Sequence, residues 1–303
     1  MASPVAPLGW WPSVYLATAG TVSAFIAAIS RHPILVSCAL MIAIGSTTLL
    51  AIKVLNQIAK YLPKPLGRLI YWIHSLAFES LAVFVVTLMH PLRYCKFPRY
   101  GAASVPGKPL ILIHGYLHDS SAWLYLKAKL LAAGFGPVYC AHLGHPFRSI
   151  QSYAETVQEL AARIEQETGR SDVAIIGHSM GGLVATFYAT RFAPAGKVTD
   201  VITIGSPLAG TYTAHMAIGP NGREMEPGSE LVQQIQKEIL SHDKIRFYHI
   251  ASRSDALIIP QSSALVGNRA ERQFVMEDVG HVSLLFSPRV AQKITDWLSR
   301  PLA

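Results

Sequence analysis

The most informative part of the chain is the stretch DVAIIGHSMGGLVATFYA, residues 172–189. Residues 173–176 are all apolar, as in a strand buried inside a parallel sheet, and residues 183–189 have the composition of a buried helix. Between them, Gly177, Ser179 and Gly181 give the pattern G-x-S-x-G, in which a serine stands on a strained turn from strand to helix. We therefore predict that Ser179 is a nucleophile exposed at the edge of a sheet. A plain glycine-rich turn is the alternative.

The segments on either side of this stretch alternate between strand and helix patterns. Such alternation predicts an α/β fold with a mainly parallel sheet flanked by helices. The expected strands cover residues 109–113, 138–141, 173–176, 201–204, 245–251 and 273–276. The expected helices cover residues 121–133, 152–168, 180–192 and 288–298.

A general base for Ser179 should come late in the chain. In folds with this serine turn, the order is serine, then acid, then histidine. Of the four histidines after Ser179, only His281 lies between the last expected strand and the last expected helix. We therefore predict that His281 is the base that takes the serine proton.

The acid that orients the imidazole should follow the preceding strand, and Asp255 stands in that loop. The rivals Glu277 and Asp278 lie only four and three residues before His281, too close to act as a separately anchored orienter. We therefore predict the triad Ser179, Asp255 and His281, with Asp255 holding the imidazole tautomer.

Two backbone N–H groups are expected to stabilise the oxyanion. Met180 follows the nucleophile, and Tyr116 follows the early strand and the pair His114-Gly115. We predict these two amides as the oxyanion hole and His114 as a structural residue. The His and Cys residues show no spacing typical of metal ligands, so we expect no metal and no cofactor.

The three cysteines, Cys38, Cys95 and Cys140, give neither a disulfide framework nor a metal pair, and buried apolar roles are expected. The net charge of +8 lies entirely in residues 1–109, which hold a single acid, Glu79. Residues 110–303 carry balanced charges, so nucleic-acid binding is not expected.

Residues 1–104 are expected to form a hydrophobic helical region with two or three transmembrane or interfacial helices. Residues 9–30 and 33–52 lack acids and bases, and about 20 residues suffice to span a membrane. The third run, residues 69–89, either spans or lies at the interface, and Glu79 makes spanning costly. A buried helical hairpin is the alternative.

This pattern predicts an integral protein of the bacterial cytoplasmic membrane. The basic residues after the second run predict a cytoplasmic N-terminus. The side on which residues 105–303, the predicted catalytic domain, would lie depends on the third run, with the extracytoplasmic side slightly favoured.

Residues 108–300 resemble the α/β-hydrolase superfamily, in its branch of small bacterial triacylglycerol lipases and esterases. The resemblance rests on the motifs around Tyr116, Ser179, Gly205, Asp255 and His281, the second of which reads GHSMGG. It implies a serine hydrolase that cleaves carboxylic esters, in particular those of lipids, through an acyl-enzyme, and the N-terminal apolar runs predict that this enzyme is anchored in a membrane. An acyltransferase or thioesterase with the same triad is the alternative, and the oligomeric state is left open.

Residues 208–244, between two expected strands, occupy a place where such enzymes often carry a lid. Tyr212, Met216, Ile218 and Met225 are candidates to line an acyl pocket there. An ordinary surface excursion is equally compatible with this composition.

Overall fold

The structure is a computed structural model that describes residues 64–89 and 107–300. The chain divides into two compact units, Met1–Pro63 and Lys64–Ala303, and all described residues belong to the second. The sequence predicts a catalytic domain that begins at residue 105. The compact unit begins 41 residues earlier, at Lys64, because it includes an N-terminal helix.

A six-stranded sheet forms the centre of the described residues, and all its paired strands are parallel. The spatial order is β2-β1-β3-β4-β5-β6, so the strand that leads to Ser179 is central. The predicted parallel sheet flanked by helices is confirmed. The strands are β1 (Leu110–Ile113), β2 (Val138–Cys140), β3 (Val173–His178), β4 (Val198–Ile204), β5 (Arg246–Ser252) and β6 (Gln273–Met276).

Helices cover both faces of the sheet. They are α1 (Lys64–Met89), α2 (Leu124–Ala132), α3 (Ile150–Thr168), α4 (Met180–Phe187), α5 (Pro220–Glu224), α6 (Glu230–Ser241) and α7 (Pro288–Leu298).

Local chemistry explains where these helices begin and end. The hydroxyl oxygen of Ser149 caps the start of α3, and that of Ser287 caps α7, each accepting a backbone N–H. Gly169 ends α3 in the left-handed conformation that glycine adopts without strain. Helix α4 passes into a π-helical turn, Tyr188–Phe192, so the predicted helix over residues 180–192 is confirmed with a change of hydrogen-bonding pattern.

Two apolar cores lie on opposite faces of the sheet. One joins the sheet to α3, α4 and α6, and the other joins it to α1, α2 and α7. Trp123 and Trp297 are fully buried in the second core, where the Trp297 ring stacks on Tyr248 with centroids 4.8 Å apart. Strands buried on both faces explain the continuous apolar runs in the sequence.

Helix α1 contains the third apolar run, and its buried side chains pack on the second core. Ala82 and Val86 are buried members of that core, and Ser75 is buried as well. Among residues 64–89 and 107–300, no helix is both long and apolar enough to cross a membrane.

The predicted localisation as an integral membrane protein is wrong on this finding. This run, which the sequence predicts to span or to lie at the interface, packs on the second core through Ala82 and Val86, whereas its Ile73, Leu76, Val83 and Phe84 side chains are exposed. The runs over residues 9–30 and 33–52 lie outside the described residues, as do Cys38 and Cys95. Cys140 is a free thiol, and burial raises its pKa to about 11.

Candidate active site

The turn between β3 and α4 holds Ser179 in a strained conformation. Its φ of 56° and ψ of −129° are rare for any residue other than glycine. A Cβ atom at Gly177 would lie 2.4 Å from the Gly181 carbonyl oxygen, and one at Gly181 would lie 2.2 Å from the Ile113 carbonyl oxygen. The close approach of strand and helix therefore requires these glycines, and the turn presents Ser179 at the C-terminal edge of the sheet.

Asp255 and His281 form a buried pair next to this turn. The Asp255 Oδ2 atom lies 2.8 Å from His281 Nδ1, and both side chains are almost fully buried. The other carboxylate oxygen accepts the backbone N–H groups of Leu257 and Ile258 at 2.8 and 2.9 Å. Because a carboxylate only accepts, the Nδ1 atom of His281 carries the proton, and Nε2 is left as the basic atom.

The rival acid Asp278 has a different partner. Both of its carboxylate oxygens lie 2.6–2.7 Å from the Arg289 guanidinium. Glu277 is exposed and pairs with Arg253 at 3.2 Å. Of the three acids weighed from the sequence, the structure brings only Asp255 to the imidazole.

Opposing effects act on the pKa of His281. Burial by itself lowers the pKa, because it disfavours the imidazolium. The charge of Asp255 and its hydrogen bond raise the pKa, and the charge of Glu79 adds to them, so the net pKa lies above its ordinary value. The surroundings of His281 therefore favour the protonated ring, the form that a general base takes after accepting a proton.

Two further histidines lie beside His281. The His178 ring lies 4.7 Å from the His281 ring, and its Nε2 atom is 3.1 Å from the His281 carbonyl oxygen. His118 stacks on His178 with centroids 5.9 Å apart. Burial lowers the pKa of His178 well below its usual value and that of His118 to about 4, with nearby histidines adding to both shifts. Both rings are therefore neutral at pH 7 and add no positive charge next to His281.

The loop after β1 approaches Ser179 closely. A Cβ atom at Gly115 would lie 2.8 Å from the Ser179 Cβ atom, so the next residue, Tyr116, is close to the serine. Met180 begins α4 directly after the serine. His114 is buried, with its Nδ1 atom 3.0 Å from the Gly115 carbonyl oxygen, and burial lowers its pKa. The oxyanion roles of the Tyr116 and Met180 amides stay predictions.

A cavity of about 220 Å³ opens at the serine. Ser179, His281 and His118 are among its polar lining residues. Its remaining walls are mostly apolar and include Met216, Met225, Leu257 and Ile258. The cavity therefore has room for a small apolar group next to the serine hydroxyl.

The segment between β4 and β5 supplies part of the cavity wall. Met216 and Met225, two of the four residues suggested from the sequence, line the cavity. The other two, Tyr212 and Ile218, are not among its lining residues and are 60% and 68% exposed, and Met216 is itself 79% exposed. The Tyr116 hydroxyl fixes the segment, because it donates to the Ile218 carbonyl at 3.0 Å and accepts the Ile218 N–H at 2.9 Å.

Sequence reasoning missed two residues that contact the His281 segment, His178 and Glu79. His178 occupies a variable position of the serine motif, so no sequence signal pointed to it. Glu79 did give a signal, because it is the single acid among residues 1–109, in the middle of an apolar run. Its carboxylate accepts the backbone N–H groups of Val282 and Ser283 at 2.7 and 3.0 Å.

Comparison with known proteins agrees with this architecture. Residues 110–248 match the alpha/beta hydrolase family. The fold is the α/β-hydrolase fold. The matched stretch includes the Ser179 turn but ends before Asp255 and His281.

The individual similarities are distant. Over 186 residues, the chain is 26% identical to the dihydrolipoyllysine-residue acetyltransferase component of the acetoin cleaving system of Cupriavidus necator. This match covers 58% of the chain and 49% of that relative, so the chain spans about half of the relative's length.

Among solved structures, lipase B of Aspergillus fumigatus has a TM-score of 0.55 at 21% identity, over 68% of this chain and 55% of that one. The mature lipase BlEst2 of Bacillus licheniformis has a TM-score of 0.52 at 16% identity, over 63% of this chain and 91% of that one. At these identities the likeness concerns the fold alone.

Proposed function

We propose that the protein is a serine hydrolase that cleaves carboxylic esters of apolar acyl groups, such as lipids, through an acyl-enzyme intermediate. The observation that carries the proposal is the buried 2.8 Å pair of Asp255 Oδ2 and His281 Nδ1, next to a serine on a strained turn. A buried, hydrogen-bonded acid fixes the tautomer in which His281 Nε2 can take a proton.

In the proposed reaction, the Ser179 hydroxyl oxygen attacks the ester carbonyl while its proton passes to His281 Nε2. The Tyr116 and Met180 N–H groups donate to the resulting oxyanion. When the tetrahedral intermediate collapses, the C–O bond to the alcohol breaks, and His281 gives the proton to the departing oxygen. Water then attacks the acyl-enzyme by the same route and releases the carboxylic acid and the free serine.

The cavity supports an apolar acyl group as the part of the substrate next to the serine. Its walls offer methionine, leucine and isoleucine side chains rather than charged groups. Its volume of about 220 Å³ lies below the range of roughly 300–1,000 Å³ that is usual for ligand pockets, which favours short acyl chains. The sequence resemblance to small bacterial lipases and esterases also supports this proposal.

The test is to label the full-length protein with a fluorophosphonate probe and to compare wild type with Ser179→Ala. We expect the probe to label Ser179, and the alanine variant to lose both labelling and hydrolysis of p-nitrophenyl esters while keeping its circular dichroism spectrum. Triad removal leaves only the catalysis supplied by binding and oxyanion contacts. Labelling of a different serine would overturn the assignment.

Acyl transfer to an acceptor other than water is the second candidate, because the Cupriavidus necator relative is named as an acetyltransferase component. The same p-nitrophenyl ester assay separates the candidates when thiols or alcohols are added as acceptors. A hydrolase releases mainly the free acid, whereas a transferase forms mainly the new ester or thioester.

A further inference from the structure

A carboxylate from helix α1 lies against the segment that carries His281. The Glu79 Oε1 atom accepts the Val282 N–H at 2.7 Å, and Oε2 accepts the Ser283 N–H at 3.0 Å. These are the two backbone N–H groups that follow His281 in the chain. Glu79 is separated from Val282 by 203 positions in the sequence, so the contact depends on the docking of α1.

The two N–H groups belong to a helical turn that needs acceptors. Residues Val282–Phe286 form a 3-10 helix whose N-cap residue is His281 itself. The first N–H groups of any helix have no acceptor inside the helix. Glu79 supplies an acceptor for two of them, and its negative charge suits a helix N-terminus. The carboxylate thereby fixes the turn on which the imidazole is carried.

The backbone on the other side of His281 also contacts Glu79. A Cβ atom at Gly280 would lie 2.5 Å from the Glu79 Oε2 atom. Glycine is therefore the residue that lets the carboxylate approach the chain just before the histidine. Glu79 touches the segment directly before and directly after His281.

Helix α1 holds Glu79 firmly. Ala82 is 4% and Val86 is 8% exposed, and both belong to the apolar core that also contains Val282 and Leu284 of the histidine segment. Ser75, one turn before Glu79, is 3% exposed. Side chains buried on both sides of Glu79 along the helix restrict its movement relative to His281.

We propose that Glu79 is a positioning residue of the active site, which fixes the backbone around His281 and adds to Asp255 a second negative charge near the imidazole. The inference rests on the proposed triad. It makes α1 a part of the catalytic unit, although no residue of α1 contributes to the predicted triad or oxyanion hole.

The charge of Glu79 gives the inference a signature in the pH profile. The groups that face His281 are Asp255, Glu79, His178 and His118, and only the two acids raise its pKa. Removal of the Glu79 charge therefore lowers the pKa of His281. Since a general base works in its neutral form, the acid limb of kcat/KM should move to lower pH.

The experiment compares Glu79→Gln and Glu79→Ala in the full chain with the matched control Glu277→Gln. Glu277 lies four residues before His281 but is exposed and pairs with Arg253. Rates are measured per active serine, counted by fluorophosphonate titration, so that loss of folded protein does not lower them.

For Glu79→Ala we expect kcat to fall by about 10- to 100-fold with little change in KM, because small misplacements of catalytic groups have effects of this size. For Glu79→Gln, which keeps the shape, we expect a smaller loss of kcat and a shift of the acid limb to lower pH. Glu277→Gln should match wild type in both quantities.

The inference is overturned if both Glu79 variants keep the wild-type kcat per active serine and the wild-type acid limb. A lower yield of folded protein with unchanged kinetics also overturns it, since this would mean a purely structural role. Rescue of kcat by Glu79→Asp, whose shorter side chain keeps the charge, would support it further.

A titration of the His281 ring by NMR distinguishes failure of this inference from failure of the proposed function. The measurement needs no substrate, and a fall in the His281 pKa in Glu79→Gln is expected. If this pKa falls but Ser179 takes no label, the proposed hydrolase is wrong and the contact stands. If Ser179 is labelled and this pKa does not fall, the inference about Glu79 is wrong.

Discussion

Asp255 and Asp278 differ in what their carboxylates bind. Asp255 accepts from His281 Nδ1 and from two backbone N–H groups, whereas Asp278 is held by Arg289. We expect Asp255→Asn to lower kcat by about 10⁴-fold, because an amide donor at this place favours the wrong imidazole tautomer.

The matched control for that change is Asp278→Asn, which removes a charge three residues from His281 but leaves the imidazole alone. Its kcat should stay within about twofold of wild type, since pairs with a mostly exposed arginine contribute little. Steady-state kinetics of both variants on one p-nitrophenyl ester show which of the two acids orients the imidazole. A larger loss in Asp278→Asn than in Asp255→Asn would assign the acid to Asp278.

At the level of single residues, the sequence predicted which side chains would meet. The serine motif is local, and the ends of parallel strands share one edge of the sheet, so chain order was enough to bring Asp255 and His281 together. Glu79 could not be found in this way, because its contact with Val282 spans 203 positions and depends on helix docking. The sequence showed an unexplained charge at Glu79 but did not show that it contacts the His281 segment.

At the level of elements, the predicted bounds are most accurate where local signals are strong. Strand β6 and helix α7 begin and end at the predicted residues. Strand β4 begins three residues earlier than expected and includes an acidic residue, Asp200. In the fold Asp200 is buried and its charge is balanced by Arg246 at 2.7 Å and Lys108 at 3.5 Å.

The contact between Tyr116 and Ile218 gives a prediction about the segment that lines the cavity. Tyr116→Phe removes both hydrogen bonds to Ile218 but keeps the backbone N–H of residue 116. We expect KM for longer acyl esters to rise about fivefold, which corresponds to about 1 kcal/mol, the usual net value of a hydrogen bond. The kcat for an acetate ester should stay the same.

Tyr139→Phe is the control for this element. It also removes a tyrosine hydroxyl that donates a hydrogen bond, to Glu167 at 3.3 Å, but Tyr139 lies on edge strand β2. Its KM values should match wild type at every chain length. If Tyr116→Phe lowers kcat on the acetate ester as strongly as on longer esters, the hydroxyl acts on the chemistry and does not merely hold the segment.

At the level of the whole molecule, the apolar composition of the N-terminal runs was the least reliable basis for predicting what these runs contact. A run such as residues 69–89 has the same composition whether it faces lipid or the apolar side of a protein sheet. In the structure Ala82 and Val86 of this run cover the second core. Sequence alone could not distinguish lipid from protein surroundings, because the distinction depends on whether distant strands form an apolar surface on which the helix can pack.

Acid should destabilise the folded molecule, because four histidines are held neutral inside it. Burial lowers the pKa of His114 and His178, and it lowers that of His118 and His249 to about 4. A histidine whose pKa is lower in the folded state binds a proton preferentially when unfolded. Its contribution to stability is complete above about pH 6.5 and is lost as the pH falls towards the folded value. The raised pKa values of His281 and Glu224 act in the opposite direction, but among the described residues these are two groups against four.

His249 allows a direct test of this linkage, because it lies on β5, is not among the residues that line the cavity at the serine and is 2% exposed. A fall in its pKa from 6.5 to about 4 corresponds to about 3 kcal/mol of stability lost at acid pH.

His249→Gln offers an amide in place of the imidazole beside the Thr203 hydroxyl and cannot take up this proton. We expect the free energy of unfolding in urea to depend less steeply on pH between 6.5 and 4 than in wild type. Equal slopes in wild type and His249→Gln would mean that this histidine does not couple protonation to folding.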